Sequence, residues 1–303
     1  MRFYYGAFGL IFLSEIELFG LEPIMPDSVS SLKGPDVTIG LGKVPECLNV
    51  ITATRKNVQT GPGEVLITHP KIARFLIRTG TRIIIEPLNG MSLSQVAMHV
   101  TGSCFGALLQ QRKTLTLHGG AVKRKDRGVV LFLGRRGSGK STLTAMMGDK
   151  GYDVLTDDLC AVDRKRHGCC MFPGIPSIKL CSKTLSTLRL DSTGFRTVQT
   201  HCEKYLIPVK RQMDQLPQDI ERIYILAWGD SMDIAPVPMS QAVYMLRKNT
   251  FRRWMIKQTM GEKLLFETCG HIAQSTPVYA FIRPKDLHLV KYSLECLMEH
   301  FET

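Results

Sequence analysis

Residues Gly134-Arg135-Arg136-Gly137-Ser138-Gly139-Lys140-Ser141 match the phosphate-loop pattern G-x-x-x-x-G-K-[ST] at every position. A loop that wraps a di- or triphosphate must turn several backbone N–H groups inward. Gly137 and Gly139 permit the positive φ such a turn needs. Lys140 brings a mobile charge to the β- and γ-phosphates, and the Ser141 hydroxyl is a ligand type for Mg²⁺. Gly134, Arg136, Ser138 and Thr142 complete the stretch expected to contact the nucleotide. A helix opening near Ser141 points its positive end at the anion.

Phosphoryl transfer also needs a carboxylate to hold the metal or to take a proton from the acceptor. Asp157-Asp158 closes the first strand expected after the loop helix. In a phosphate-loop fold a neighbouring strand ends near the γ-phosphate, so one acid can face the metal and the other the acceptor. Two adjacent carboxylates also push one pKa upward, which suits a base. The base role is assigned to Asp157 and the metal role to Asp158, with the reverse order open. His118, followed by two glycines on the incoming strand, is either structural or part of the acceptor side. Lys210 and Arg211 are candidates for neutralising the charge in transfer.

The elements that must position these groups follow from periodicity. Residues 127–134 read as a buried strand and 141–148 as the loop helix. Residues 115–122 alternate like a strand and form a hairpin with it. Strands are expected at 152–158, 159–163, 169–172, 205–209, 222–228 and 277–282, and helices at 239–247, 251–266 and 284–301. The N-terminal part is β-rich. Residues 6–13 read as one buried strand, 36–40 and 64–68 as strands, 54–63 as a loop, and 73–78 with 82–86 as a hairpin. Leu93, Val96, Ala97, Val100, Ala107 and Leu108 recur at helical spacing, so residues 92–111 read as a bridging helix that Ser92 or Ser94 can cap. The fold class is α/β with a mixed, α+β-like sheet rather than clean β-α-β alternation. The expected division is a β-rich region over 1–110 and a phosphate-loop catalytic domain over 111–303.

Composition narrows the function classes. Apolar content of 44% and charged content of 22% are ordinary for a globular protein. No apolar run is long enough to cross a membrane. Residues 6–13 could imitate the apolar part of a signal peptide, but Glu15 and Glu17 follow at once and no cleavage site appears, so the expectation is a cytoplasmic protein without a membrane partner. The nine cysteines contain no C-x-x-C pair and no zinc spacing, and read as reduced thiols. A net charge of +12 favours phosphorylated or acidic partners. Nucleic acid is the less favoured of these, because no recognition motif and no aromatic stacking run accompanies the charge. A homo-oligomer stays open.

Together, His118-Gly119 on a strand, the hairpin, the Gly134 to Ser141 loop and the strand ending in Asp157-Asp158 resemble the HPr kinase/phosphorylase family over residues 110–230. Ile207-Pro208-Val209-Lys210-Arg211 is similar to that family's Ile-Pro-Val-Lys-x-Gly-Arg stretch. The resemblance implies the phosphate-loop fold shared with phosphoenolpyruvate carboxykinase, with ATP and Mg²⁺ as cofactors. It implies that His118 and one Asp serve the acceptor hydroxyl while the other Asp helps hold metal. The family has an acid before its Arg/Gly-Leu-Gly-Ile signature, whereas Phe172-Pro-Gly-Ile-Pro-Ser-Ile-Lys179 has no carboxylate, which implies loss of phosphorylase activity. The opening Tyr4-Tyr-Gly-Ala-Phe-Gly-Leu10 resembles the diverged relatives in clusters for ribosomally made peptides, lasso peptides among them. Those phosphorylate a serine at the C-terminal end of a precursor peptide. The expected activity is therefore an ATP- and Mg²⁺-dependent serine kinase with a peptide partner. A nucleotide-binding switch with little turnover and a nucleic-acid-directed kinase are the alternatives.

Overall fold

A computed structural model describes residues 1–25, 34–124, 127–188, 195–199, 203–209, 216–286 and 288–302. The chain is a mixed α/β protein that divides into two compact units, residues 1–116 with 251–267 and residues 117–250 with 268–303. Segment 251–267, assigned from sequence to the C-terminal part, thus belongs to the first unit.

The first unit is built on a nine-stranded sheet in the order Pro23–Ile24, Phe3–Ala7, Leu10–Ser14, Val37–Leu41, Arg82–Pro87, Ala73–Arg78, Glu64–His69, Val58–Gly61, Ala53–Arg55. Three sequence expectations are corrected in this unit, at residues 6–13, 54–63 and 251–266. Residues 6–13 form the two arms of a hairpin, because Phe8 (φ 56°) and Gly9 (φ 70°) both take the left-handed region between Ala7 and Leu10. Phe8 is an unusual residue for that turn, and its burial hid the turn inside an apolar run. Residues 54–63 contain a second hairpin, which turns where Lys56 has φ 50°. The helix expected over 92–111 forms as Leu93–His99, a π-helical turn Val100–Cys104, and Phe105–Gln111. Ser92 caps it by accepting from the Gln95 N–H. Gly106 lets the helix meet Phe251, since a Cβ there would lie 2.4 Å from the ring, and the Gln110 amide donates to the Phe251 carbonyl at 2.6 Å. In place of the helix expected at 251–266, a 3₁₀ turn Arg253–Gln258 is followed by Gly261 (φ 94°) and the helix Glu262–Ser275.

The second unit carries the residues that could do chemistry. Strand Gln218–Trp228 runs parallel to Val129–Gly134 and to Val278–Arg283. Strand Leu115–Lys123 is antiparallel to Val129–Gly134 on one edge and to Asp153–Thr156 on the other. Every residue of Val129–Gly134 is buried, as its unbroken apolar run requires of a strand covered on both faces. Helices Lys140–Asp149 and Val290–Glu302 cover one of those faces, the one that carries Val130 and Phe132. Leu143, Met146 and Met147 of one, and Val290, Leu294, Leu297 and Phe301 of the other, join Val130, Phe132 and Tyr224 in one core. Leu159–Arg164 and Cys169–Phe172 form the expected hairpin. A small separate sheet pairs Ser177–Cys181, Glu203–Pro208 and Arg196–Gln199. The register sets Gly134 opposite Leu226 and Trp228 opposite Arg283, so three parallel strands end together where the glycine loop begins. Among the described residues no helix is long and apolar enough to cross a membrane. None of the eight described cysteines is in a disulfide.

Candidate functional site

The loop between Val129–Gly134 and Lys140–Asp149 holds its shape through three glycines in the left-handed half of φ, Gly134 at 148°, Gly137 at 81° and Gly139 at 82°. Gly134 also has no room for a side chain, since a Cβ would lie 2.6 Å from Ser138 Oγ and 2.7 Å from the Leu226 carbonyl. The Ser138 N–H closes a turn on the Arg135 carbonyl at 3.0 Å. Helix Lys140–Asp149 starts directly after Gly139, so its first amides have no partner within the helix and its positive end lies at the loop. Lys140 is buried, with Nζ donating to the carbonyls of Gly134 at 2.8 Å and Arg135 at 3.1 Å. Arg135, Arg136 and Gly137 are exposed at the loop tip, while Ser141 and Thr142 are half-buried.

The two acids follow directly after Asp153–Thr156 and their surroundings differ sharply. Asp157 is 5% exposed. Its Oδ2 accepts the Lys179 N–H at 3.0 Å. Its Oδ1 is buried without a hydrogen-bond partner, although the Ser141 hydroxyl stands near enough to draw the carboxyl pKa down. Burial dominates and pushes that pKa up to about 7, against the pull of the Lys179 N–H and Ser141 and with the help of the Asp158 charge. Gly120 makes room for the loop helix beside this acid. A Cβ there would lie 2.1 Å from Thr144 Oγ1 on the loop helix and 3.6 Å from Asp157 Oδ1.

Asp158 is bound into a charged chain instead. Its Oδ1 lies 3.1 Å from His118 Nδ1, and its Oδ2 accepts from Lys179 Nζ at 2.9 Å. Burial alone would raise the Asp158 pKa, but the Lys179 ammonium and the His118 ring outweigh it and hold the carboxyl well below the usual range. Burial likewise opposes the Lys179 charge and is outweighed by Asp158. His118 is fixed from its backbone, which donates to the Asn249 carbonyl at 2.8 Å, and its Nδ1 also lies 3.1 Å from the Asp158 carbonyl.

The structure therefore brings together the loop, Lys140, Ser141, Asp157, Asp158 and His118. Lys210 and Arg211 lie outside the described residues. Lys179 was missed. It is the sole charged residue of the stretch 172–179 that stood out for lacking a carboxylate, and that was the available signal. Asp157 Oδ1 and the Ser141 hydroxyl are hard oxygen donors of the kind Mg²⁺ takes, and the unpartnered Oδ1 fits a cation there. Among the described residues no group of three or more His, Cys, Asp or Glu could hold a metal unaided. Mg²⁺ at this place would rely on phosphate oxygens and water for its remaining ligands.

No family model matches the sequence, and no curated protein does. Among solved structures the chain is similar to the HPr(Ser) kinase/phosphatase from Coxiella burnetii, at 10% identity and a TM-score of 0.30, covering 62% of this chain and 99% of that one. A likeness that slight carries no argument, and the functional reading rests on the site itself.

Proposed function

We propose that the chain is an ATP- and Mg²⁺-dependent kinase that phosphorylates a serine hydroxyl of a peptide. The observation that carries this reading is the placing of two different carboxylates beside one glycine loop: Asp157 with an unpartnered buried oxygen next to Ser141, and Asp158 joined to His118. The loop amides, the helix N-terminus and Lys140 bind the phosphates, for which Lys140 exchanges the carbonyls of Gly134 and Arg135. Asp157 and Ser141 would hold Mg²⁺, which when bound neutralises charge on the phosphate oxygens. As the serine oxygen attacks the γ-phosphorus and ADP departs, the serine proton passes to the Asp158–His118 pair. Lys179 keeps Asp158 ionised and oriented for that task.

This reverses the roles expected from sequence, where Asp157 was the base and Asp158 the metal ligand. The partner of His118 is Asp158, and the neighbour of the loop serine is Asp157. Lys210 and Arg211 keep their proposed role toward the transferring charge. The proposed acceptor is the C-terminal serine of a lasso-type precursor peptide, a choice that follows from the resemblance of the loop, acid and N-terminal motifs. The test is incubation with ATP and Mg²⁺ of two peptides that differ only in ending in serine or alanine. Gain of one phosphoryl group by the serine peptide alone supports the reading. ATP turnover that phosphorylates no serine peptide contradicts it.

A further inference from the structure

Behind the glycine loop lies a buried cation that no acid among the described residues balances. Arg283, the last residue of strand Val278–Arg283, is 2% exposed. No acidic side chain among the described residues pairs with it, and burial alone moves its pKa, down to about 10, where it stays protonated at neutral pH. One guanidinium nitrogen, Nη2, donates to the Ser138 carbonyl at 2.6 Å, while Nε has no partner. The guanidinium stacks on Trp228, 4.5 Å from the ring centroid, and Trp228 Nε1 donates to the Gly137 carbonyl at 3.1 Å. Two successive loop carbonyls are thus gripped by one stacked pair. A peptide unit points its C=O and the following N–H in opposite directions, so holding the Ser138 carbonyl aims the Gly139 N–H away from Arg283. Gly139 serves this arrangement as well as its own φ, because a Cβ there would lie 2.6 Å from Arg283 Nη2.

A strut for two carbonyls needs only neutral donors. A guanidinium buried without a counter-charge destabilises the free protein, so the charge requires its own account. We infer that Arg283 is a positioning residue of the nucleotide site, balanced by the phosphates bound at the loop, and that Trp228 reports their arrival. This rests on the nucleotide-binding reading above and assigns two residues that reading did not use. The ligand class is a nucleoside di- or triphosphate, and the coupling runs through the carbonyls of Gly137 and Ser138.

The experiment uses the full chain with Trp254→Phe, which leaves Trp228 as the only one of the two tryptophans. ADP is titrated without metal while Trp228 emission is followed, in the parent and after adding Arg283→Met or Arg283→Lys. ADP should change the parent's emission. Arg283→Met should weaken ADP binding by on the order of tenfold, with a ligand-free melting temperature at or above the parent's. Arg283→Lys keeps the charge but not the fork and should lose less. An Arg283→Met protein that binds ADP as tightly as the parent overturns the inference. So does one that melts well below the parent or fails to fold while Arg283→Lys binds normally, since Arg283 is then a structural strut. A parent that binds no ADP removes the nucleotide reading itself, and the inference with it.

Discussion

Replacing Asp157 with asparagine should make the ligand-free protein more stable, although it removes a site residue. Asn keeps an oxygen to accept the Lys179 N–H and removes the burden of burying a charge. The rise of the Asp157 pKa from 3.8 to about 7 corresponds to about 4 kcal/mol, at roughly 1.4 kcal/mol per pH unit. The folded pKa lies above the unfolded one, so the folded state holds a proton the unfolded chain has released. The cost to the wild type is absent below about pH 4, grows as pH rises toward 7, and is complete above it. In urea denaturation the advantage of Asp157→Asn should therefore be near zero at pH 4 and reach on the order of 2–4 kcal/mol by pH 7.5. Mg²⁺ with ADP should narrow the gap, because only the wild type offers a carboxylate to the cation. A difference that is flat with pH, or an asparagine variant that is less stable at pH 7.5, would refute the reasoning.

Other substitutions probe the rest of the site. Lys140→Ala should lower phosphoryl transfer by about 10²–10³-fold or more while leaving the far-ultraviolet circular dichroism unchanged. Lys179→Met leaves Asp158 with His118 alone. Both side chains of that ion pair are about a third exposed, so the loss at pH 7 should be on the order of 1–2 kcal/mol. Because the folded pKa of Asp158 lies well below the usual carboxylate range, the loss should persist at about pH 4 and shrink only as pH falls further and Asp158 gains a proton, which chemical denaturation across that range measures. Gly120→Ala drives a methyl group against Thr144 Oγ1 and should cost about 1–3 kcal/mol. Adding Thr144→Ala should restore part of that, a coupling that a double-mutant cycle reads directly.

The glycine loop was legible because its requirements are contiguous: each residue from Gly134 to Ser141 is set by its own backbone or by the anion it would face. The strands beside it were legible as apolar runs, and the Asp pair as the acids that end one of them. The difference between the two acids was not legible. It is made by Lys179, which reaches Asp158 from 21 residues away on a separate small sheet, and by His118. Arg283 lies 145 residues from the carbonyl it grips, and no local pattern marks a residue that meets a loop from behind. Phe8 escaped notice because its burial in the core outweighs its poor fit to a turn. The return of 251–267 to the first unit rests on fitting Phe251 against Gly106 and Gln110, a match of shapes that composition does not reveal.

The central claim is that Asp157 serves the metal and Asp158 the acceptor of a phosphoryl transfer. Its most direct test is the initial rate of γ-phosphoryl transfer to a serine peptide, followed across a Mg²⁺ titration for Asp157→Asn and Asp158→Asn. Asp157→Asn should weaken Mg·ATP and lower the rate together, with part of the loss recovered at high Mg²⁺. Asp158→Asn should lower turnover by about 10²–10⁴-fold, leave nucleotide affinity near wild type, and resist rescue by metal. Exchanged patterns would contradict the assignment of the two acids, and wild-type transfer by both variants would contradict the kinase reading itself.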